Sequence, residues 1–156
     1  MSDTTTVREE GGLILEMTRR FKASRERVFD AWSTVEAMTH WFGPGSCAVL
    51  GGQIDFRVGG RYRLELKTET LGEIAIGGEY LEISRPERLL FSWKWEENEE
   101  LCQDEMEVAI ELSDAGDGET ELRLTHTGFP DREVAEHHGQ GWGGSFDKLG
   151  PWLAPG

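Results

Sequence analysis

Cysteine is scarce in this chain. The two present, Cys47 and Cys102, stand far apart and fit neither a zinc-ligand spacing nor a CxxC pair. That excludes a disulfide scaffold and the common zinc modules. Basic residues are scarce too: 16 Lys and Arg face 30 Asp and Glu, for a formal net charge of −14. Nucleic-acid affinity comes mostly from phosphate contacts, and anionic lipid attracts basic segments. Neither a nucleic acid nor a membrane surface is therefore an expected partner. No apolar run approaches the roughly 18 residues that a membrane-spanning helix requires. Residues 1–12 are polar and acidic, without the apolar core of a signal peptide. We read them as a flexible leader ahead of a single domain at 13–156, and the protein as cytoplasmic with reduced thiols.

The signatures of catalysis are also missing. No G-x-S-x-G elbow surrounds Ser46, and no Walker loop and no GxGxxG at a strand-to-helix turn offers a phosphate cradle. His137 and His138 are adjacent, about 100° apart on a helix, so they cannot ligate one metal as an i, i+4 pair would. No metal site and no cofactor are expected. The carboxylates Asp55, Glu65, Glu107 and Glu111 fall out of phase with the apolar positions and should face water. A basic cluster at Arg19, Arg20, Lys22, Arg25 and Arg27 reads as a solvated strand end and helix face.

What the chain does have is aromatic residues and glycine: 6 Trp, 7 Phe, 2 Tyr and 20 Gly in 156 residues. A chain this long buries roughly 70% of its unfolded surface, and each aromatic adds about 150–250 Å² of burial. The patterning orders these residues. Leu13, Leu15 and Met17 alternate in a first strand. Ser24 can cap a short helix bearing Val28, Phe29, Ala31 and Trp32. Ser33 with Glu36 makes a capping box for a second short helix ending before Gly43-Pro44. The period then becomes two: Ile54, Phe56 and Val58, then a Gly59-Gly60 hairpin turn, then Tyr62, Leu64 and Leu66. A strand at about 73–83 carries Gly77-Gly78, a bulge or bend signal. Pro86 interrupts before Leu89, Phe91, Trp93 and Trp95. Residues 96–107 hold seven acids in twelve and read as an exposed hairpin loop. Met106, Val108, Ile110 and Leu112 alternate, a turn follows at 114–118, and Leu122, Leu124 and His126 alternate in turn. Asp131 can cap a final helix bearing Val134, His138, Trp142, Phe146 and Leu149, kinked or ended by Pro151.

The local patterns resemble a known family. Ala23-Ser24-Arg25-Glu26-Arg27-Val28-Phe29-Asp30-Ala31-Trp32 resembles its opening, and Trp41-Phe42-Gly43-Pro44 its W-F-x-P loop. Asp55-Phe56-Arg57-Val58-Gly59-Gly60-Arg61-Tyr62 matches its D-x-R-x-G-G-x-Y hairpin. Arg85-Pro86-Glu87-Arg88-Leu89-Leu90-Phe91-Ser92-Trp93 resembles its P-P-E-R-L strand entry. Thr125-His126-Thr127-Gly128-Phe129 and Gly141-Trp142-Gly143-Gly144-Ser145-Phe146-Asp147-Lys148-Leu149 match its closing strand and helix. On these motifs, spanning about 13–153, the chain resembles the C-terminal domain of activators of the heat-shock-protein-90 ATPase, within the SRPBCC superfamily. The resemblance implies an α+β, START-like helix-grip fold. In that fold a curved antiparallel sheet of about six to seven strands wraps a long C-terminal helix, and two short helices follow the first strand. The chain departs from the pattern at Arg85, where a proline often stands, and in its glycines at 139, 141, 143 and 144.

The expected function is binding of a small hydrophobic or amphipathic ligand between sheet and helix, without assigned catalysis. Trp41, Phe56, Tyr62, Trp93, Met106, His126 and Trp142 are the expected lining, with Trp41 at the mouth and Tyr62 and His126 as its polar groups. Two alternatives stay open. One is a co-chaperone-like interaction module with a chaperone partner. The other is a cyclase or hydrolase using His126 and Tyr62. A homodimer also stays open.

Overall fold

The computed structural model describes residues 3–96 and 103–154. Its order is β1 (Thr4–Glu9), β2 (Leu13–Phe21), α1 (Arg25–Asp30), α2 (Val35–Met38), β3 (Ala48–Ile54), β4 (Arg61–Thr68), β5 (Gly72–Ser84), β6 (Arg88–Trp95), β7 (Met106–Gly116), β8 (Glu119–Phe129) and α3 (Arg132–Leu153). The strands form one antiparallel sheet in the order β1-β2-β8-β7-β6-β5-β4-β3. This curved sheet with its C-terminal helix is the helix-grip α+β fold. Eight strands stand where six or seven were expected. The extra strand is β1: residues 4–9, expected within the flexible leader, pair with β2 from Thr4↔Thr18 to Glu9↔Leu13. The segment's polarity misled, because it forms an edge strand whose side chains are mostly exposed. Of the expected acidic loop, residues 97–102, including Cys102, lie outside the described residues.

Alternation explains the sheet. In β4 every second residue, Tyr62, Leu64 and Leu66, is buried, and in β8 Leu122, Leu124 and His126 follow the same rule. This is the signature of a sheet with one wet face. On the outer face, charges of opposite sign meet across the ladder: Arg88 stands opposite Glu111 and bonds it at 2.9 Å. The basic cluster is partly spent the same way. Arg20 pairs with Glu119 at 2.7 Å, and Arg19 donates to the Thr4 and Thr18 carbonyls.

Helix starts follow the expected capping with one correction. Ser24 accepts from the Arg27 N–H and Asp131 from the Val134 N–H. The cap of α2 is Thr34, accepting from Ala37, rather than Ser33. Ser33 instead donates its hydroxyl to the Asp30 carbonyl and closes α1. Pro151 does not end α3, which runs on to Leu153. Pro151 lacks the N–H that would bond the Asp147 carbonyl, but Leu149 and Leu153 anchor the last turn at 0% and 2% exposure.

The expected Gly59-Gly60 hairpin is also corrected. Strand β3 stops at Ile54, and residues 55–60 form a loop tied to β5 by Gly59 N–H to the Tyr80 carbonyl at 2.9 Å. Phe56 leaves the alternation to pack edge-on against Phe29 and Tyr80. At Gly78, an added Cβ would lie 2.0 Å from the Ser92 carbonyl oxygen, so only glycine permits this approach of β5 to β6. The register shift in this pair falls slightly later, between Tyr80 and Glu82.

Candidate functional site

A cleft of about 570 Å³ opens where three parts of the fold fail to close on one another. One wall is the middle of α3, through His138, Gly141, Trp142 and Ser145. The floor is the ends of β4, β5 and β6, through Leu66, Ile74, Trp93 and Trp95. The rim is the loop at 42–47 and the turn at 68–71. The volume lies within the roughly 300–1,000 Å³ typical of small-molecule sites, and the lining is mostly apolar, as such sites are.

Glycine shapes this wall. Gly144 lies so close to the rim loop that an added Cβ would stand 2.4 Å from the Pro44 Cβ. One turn earlier, Gly141 borders the cleft, and an added Cβ there would meet nothing within 4 Å. Ser145 joins the helix to the loop: its Oγ accepts from Gly43 N–H at 2.9 Å and donates to the Gly141 carbonyl at 3.0 Å. Lys148 adds a second tie, donating to the Cys47 carbonyl at 3.0 Å. The Cys47 thiol is free, and partial burial pushes its pKa up while Lys148 opposes the shift.

Behind the floor lies a cluster of indoles and imidazoles. Trp142 Nε1–H donates to His126 Nδ1 at 3.1 Å, and Trp95 Nε1–H donates to His138 Nε2 at 3.0 Å. His138 Nδ1 faces the Val134 carbonyl at 2.9 Å, which requires that nitrogen to carry the proton. Both imidazoles therefore accept a hydrogen bond from an indole N–H and are neutral. Burial lowers both pKa values, that of His126 strongly, and each has a second imidazole close by. His126 Nε2 is buried and has no hydrogen-bond partner among the described residues.

The structure separates the seven expected lining residues. Trp93 and Trp142 line the cleft. His126 is fully buried behind Trp142. Trp41 is fully buried rather than at the mouth: its Nε1–H donates to the Ala31 carbonyl at 3.0 Å and its ring meets Trp32 at 4.7 Å. Phe56 packs at another part of the sheet, and Met106 is 1% exposed within the core. Tyr62 borders a separate void of about 20 Å³ and donates its hydroxyl to the Ser92 carbonyl at 2.7 Å. Alternation placed most of these side chains inward but could not tell a filled interior from a lined one.

Tyr62 and His126 are not a pair. Strands β5, β6 and β7 lie between theirs, and each spends a polar atom on a different partner. Burial also pushes the Tyr62 phenol well above its ordinary pKa, which opposes ionisation. The residues missed were Phe42, the rest of the rim loop, Leu66, Glu69, Leu71, Ile74, Trp95 and His138. Two signals pointed to them: the W-F-x-P loop, read through Trp41 rather than Phe42, and the glycines of the last helix. Among the described residues, no group of three or more His, Cys, Asp or Glu is placed to hold a metal ion, and no helix is long and apolar enough to cross a membrane.

The family described as "Activator of Hsp90 ATPase homolog 1-like protein" matches residues 22–154. Solved structures share the fold. Protein CV1439 from Chromobacterium violaceum is 29% identical with a TM-score of 0.80, covering 92% of this chain and 98% of that one. The AHSA1 protein from Silicibacter pomeroyi is 24% identical with a TM-score of 0.78, covering 90% and 96%. CalU16 from Micromonospora echinospora is 24% identical with a TM-score of 0.70, covering 99% and 86%. No curated protein matches.

Proposed function

The chain belongs to the family of activator of Hsp90 ATPase homolog 1-like proteins, and from that premise and the cleft we propose that it binds a small, largely apolar molecule with an aromatic or similarly flat body. The observation that carries this reading is the 570 Å³ cleft itself, walled by Phe42, Trp93, Trp95 and Trp142. Flat aromatic walls favour flat aromatic or alicyclic ligands through offset and edge contacts. The site is pre-formed: Ser145 and Lys148 tie the rim loop to α3, so little ordering is left for a ligand to drive. Binding without catalysis is the favoured form, because the buried histidines are locked to indoles and Tyr62 is engaged elsewhere.

The test uses a neutral probe, 2-naphthylmethanol, titrated calorimetrically into the full chain. Saturable binding is expected, together with a change in tryptophan fluorescence because three indoles line the site. Gly141→Phe should fill the cleft from the helix side and lower affinity at least about tenfold. Its melting temperature should stay within a few degrees, because the added ring enters open space. Absence of saturable binding, or a Gly141→Phe protein that binds as the parent does, would overturn the reading.

A further inference from the structure

We propose that the cleft selects its ligand by charge, preferring a cationic head such as a primary or quaternary ammonium and rejecting a carboxylate. This inference rests on the binding reading above and specifies the polar end of the ligand. Among the described residues, Glu69 is the carboxylate on the lining, no Lys or Arg borders the cleft, and the imidazoles there are His138 and the exposed His137. The nearby Lys148 has its ammonium on the Cys47 carbonyl. His138 is no substitute cation, because its Nε2 receives the Trp95 N–H and burial holds the ring neutral.

Several of the lining's neutral donors are committed elsewhere. Ser46 donates to Glu69 and so fixes that carboxylate at the rim. Thr68 donates to the Gly72 carbonyl at 2.9 Å, and Ser145 donates to Gly141. The indole protons of Trp95 and Trp142 go to histidines. A carboxylate entering the cleft would lose its hydration and meet few donors in return, a penalty that burial makes large. A cation meets the opposite conditions. Glu69 offers an ion-pair partner, and the rings of Phe42, Trp93, Trp95 and Trp142 offer the negative faces that attract ammonium groups. The formal net charge of −14 steers approach in the same direction.

Three probes of one shape separate the outcomes: 2-naphthylmethylamine, cationic at pH 7, 2-naphthylmethanol, neutral, and 2-naphthoate, anionic. They are titrated calorimetrically in about 0.15 M salt, where exposed distant charges are largely screened. The amine should bind about threefold or more tighter than the alcohol and at least about tenfold tighter than the carboxylate. Glu69→Gln should remove most of the amine's advantage over the alcohol, leaving only the part the rings supply, and leave the alcohol unchanged. Glu121→Gln, on the exposed side of β8 and away from the lining, should change neither. A carboxylate that binds as well as the amine, or an amine advantage undiminished by Glu69→Gln, overturns the charge selection while leaving a neutral-ligand site standing. Failure of all three probes overturns the binding reading and this inference together.

Discussion

The interior has two ends built from the same kinds of side chain, and only one of them is full. Under α1 and α2, Trp32 meets Trp41 at 4.7 Å, Trp41 stacks on Phe146 at 6.4 Å, and Phe56 meets Phe29 and Tyr80 at 5.9 and 5.0 Å. The void left there is about 20 Å³. At the other end, Trp93, Trp95 and Trp142 stand beside about 570 Å³ of open space. The difference lies in what covers them. At the first end, two helices and the turn between them bring Phe29, Met38 and Trp32 down onto the sheet. At the second, the cover is a glycine-bearing stretch of α3, a rim loop and a hairpin turn, whose large side chains, Trp142, Phe42 and Leu71, border the space without filling it. Aromatic content alone therefore says nothing about a cavity; the opposing surface decides it.

The sharpest test of this contrast compares two indole truncations. Trp41→Ala removes a side chain of 0% exposure and should cost about 3–5 kcal/mol. Trp95→Ala removes a partly exposed ring and one hydrogen bond to His138, and should cost roughly 1–2 kcal/mol. Urea unfolding at pH 7.5 measures both. Equal costs would erase the distinction between the two ends.

The next test moves along α3. Gly144→Ala pushes a methyl into Pro44 and should cost about 1–3 kcal/mol by forcing the rim loop outward. Acidification gives a comparable effect from the histidines behind the floor. Both fold with pKa values below the ordinary 6.5. The unfolded chain therefore takes up protons near pH 6.5 that the folded chain refuses. Their contribution is complete above that pH and falls as the pH drops toward the folded values, by up to about 1.4 kcal/mol per pH unit for each group. Unfolding midpoints between pH 7.5 and 5.5 should decline accordingly, and the double variant His126→Gln with His138→Gln should flatten that slope. An unchanged slope in the variant would assign the decline to other groups. The smallest effect belongs to Gly141→Ala, which should stabilise by about 0.5–1 kcal/mol because the methyl meets open space and the helix gains propensity. Destabilisation there would mean that the cleft wall is tighter than its geometry shows.

The fold was largely legible because a period of two and a period of 3.6 are local properties. Leu122, Leu124 and His126 announced an inward strand face, and Asp131 announced the start of the last helix. The errors were local in another way. Residues 4–9 carry no apolar face to signal a strand, since β1 is held by its ladder to β2 rather than by burial. Phe56 kept the alternation in sequence while the chain turned it aside. The site was less legible than the fold. Trp93 and Trp142 were found because they are inward aromatics, but so are Trp41 and Met106, which are core. Glu69, Trp95 and His138 depend on which loop and which helix turn come to lie across from them, and no local pattern reports that.

The residue order by itself determined a succession of strands alternating apolar and charged side chains, an acidic composition and a capped terminal helix, because each depends only on near neighbours. Tertiary structure alone decided which aromatic rings press together and which border open space, because that depends on the distance between segments about a hundred residues apart, set where Gly144 lets α3 approach Pro44.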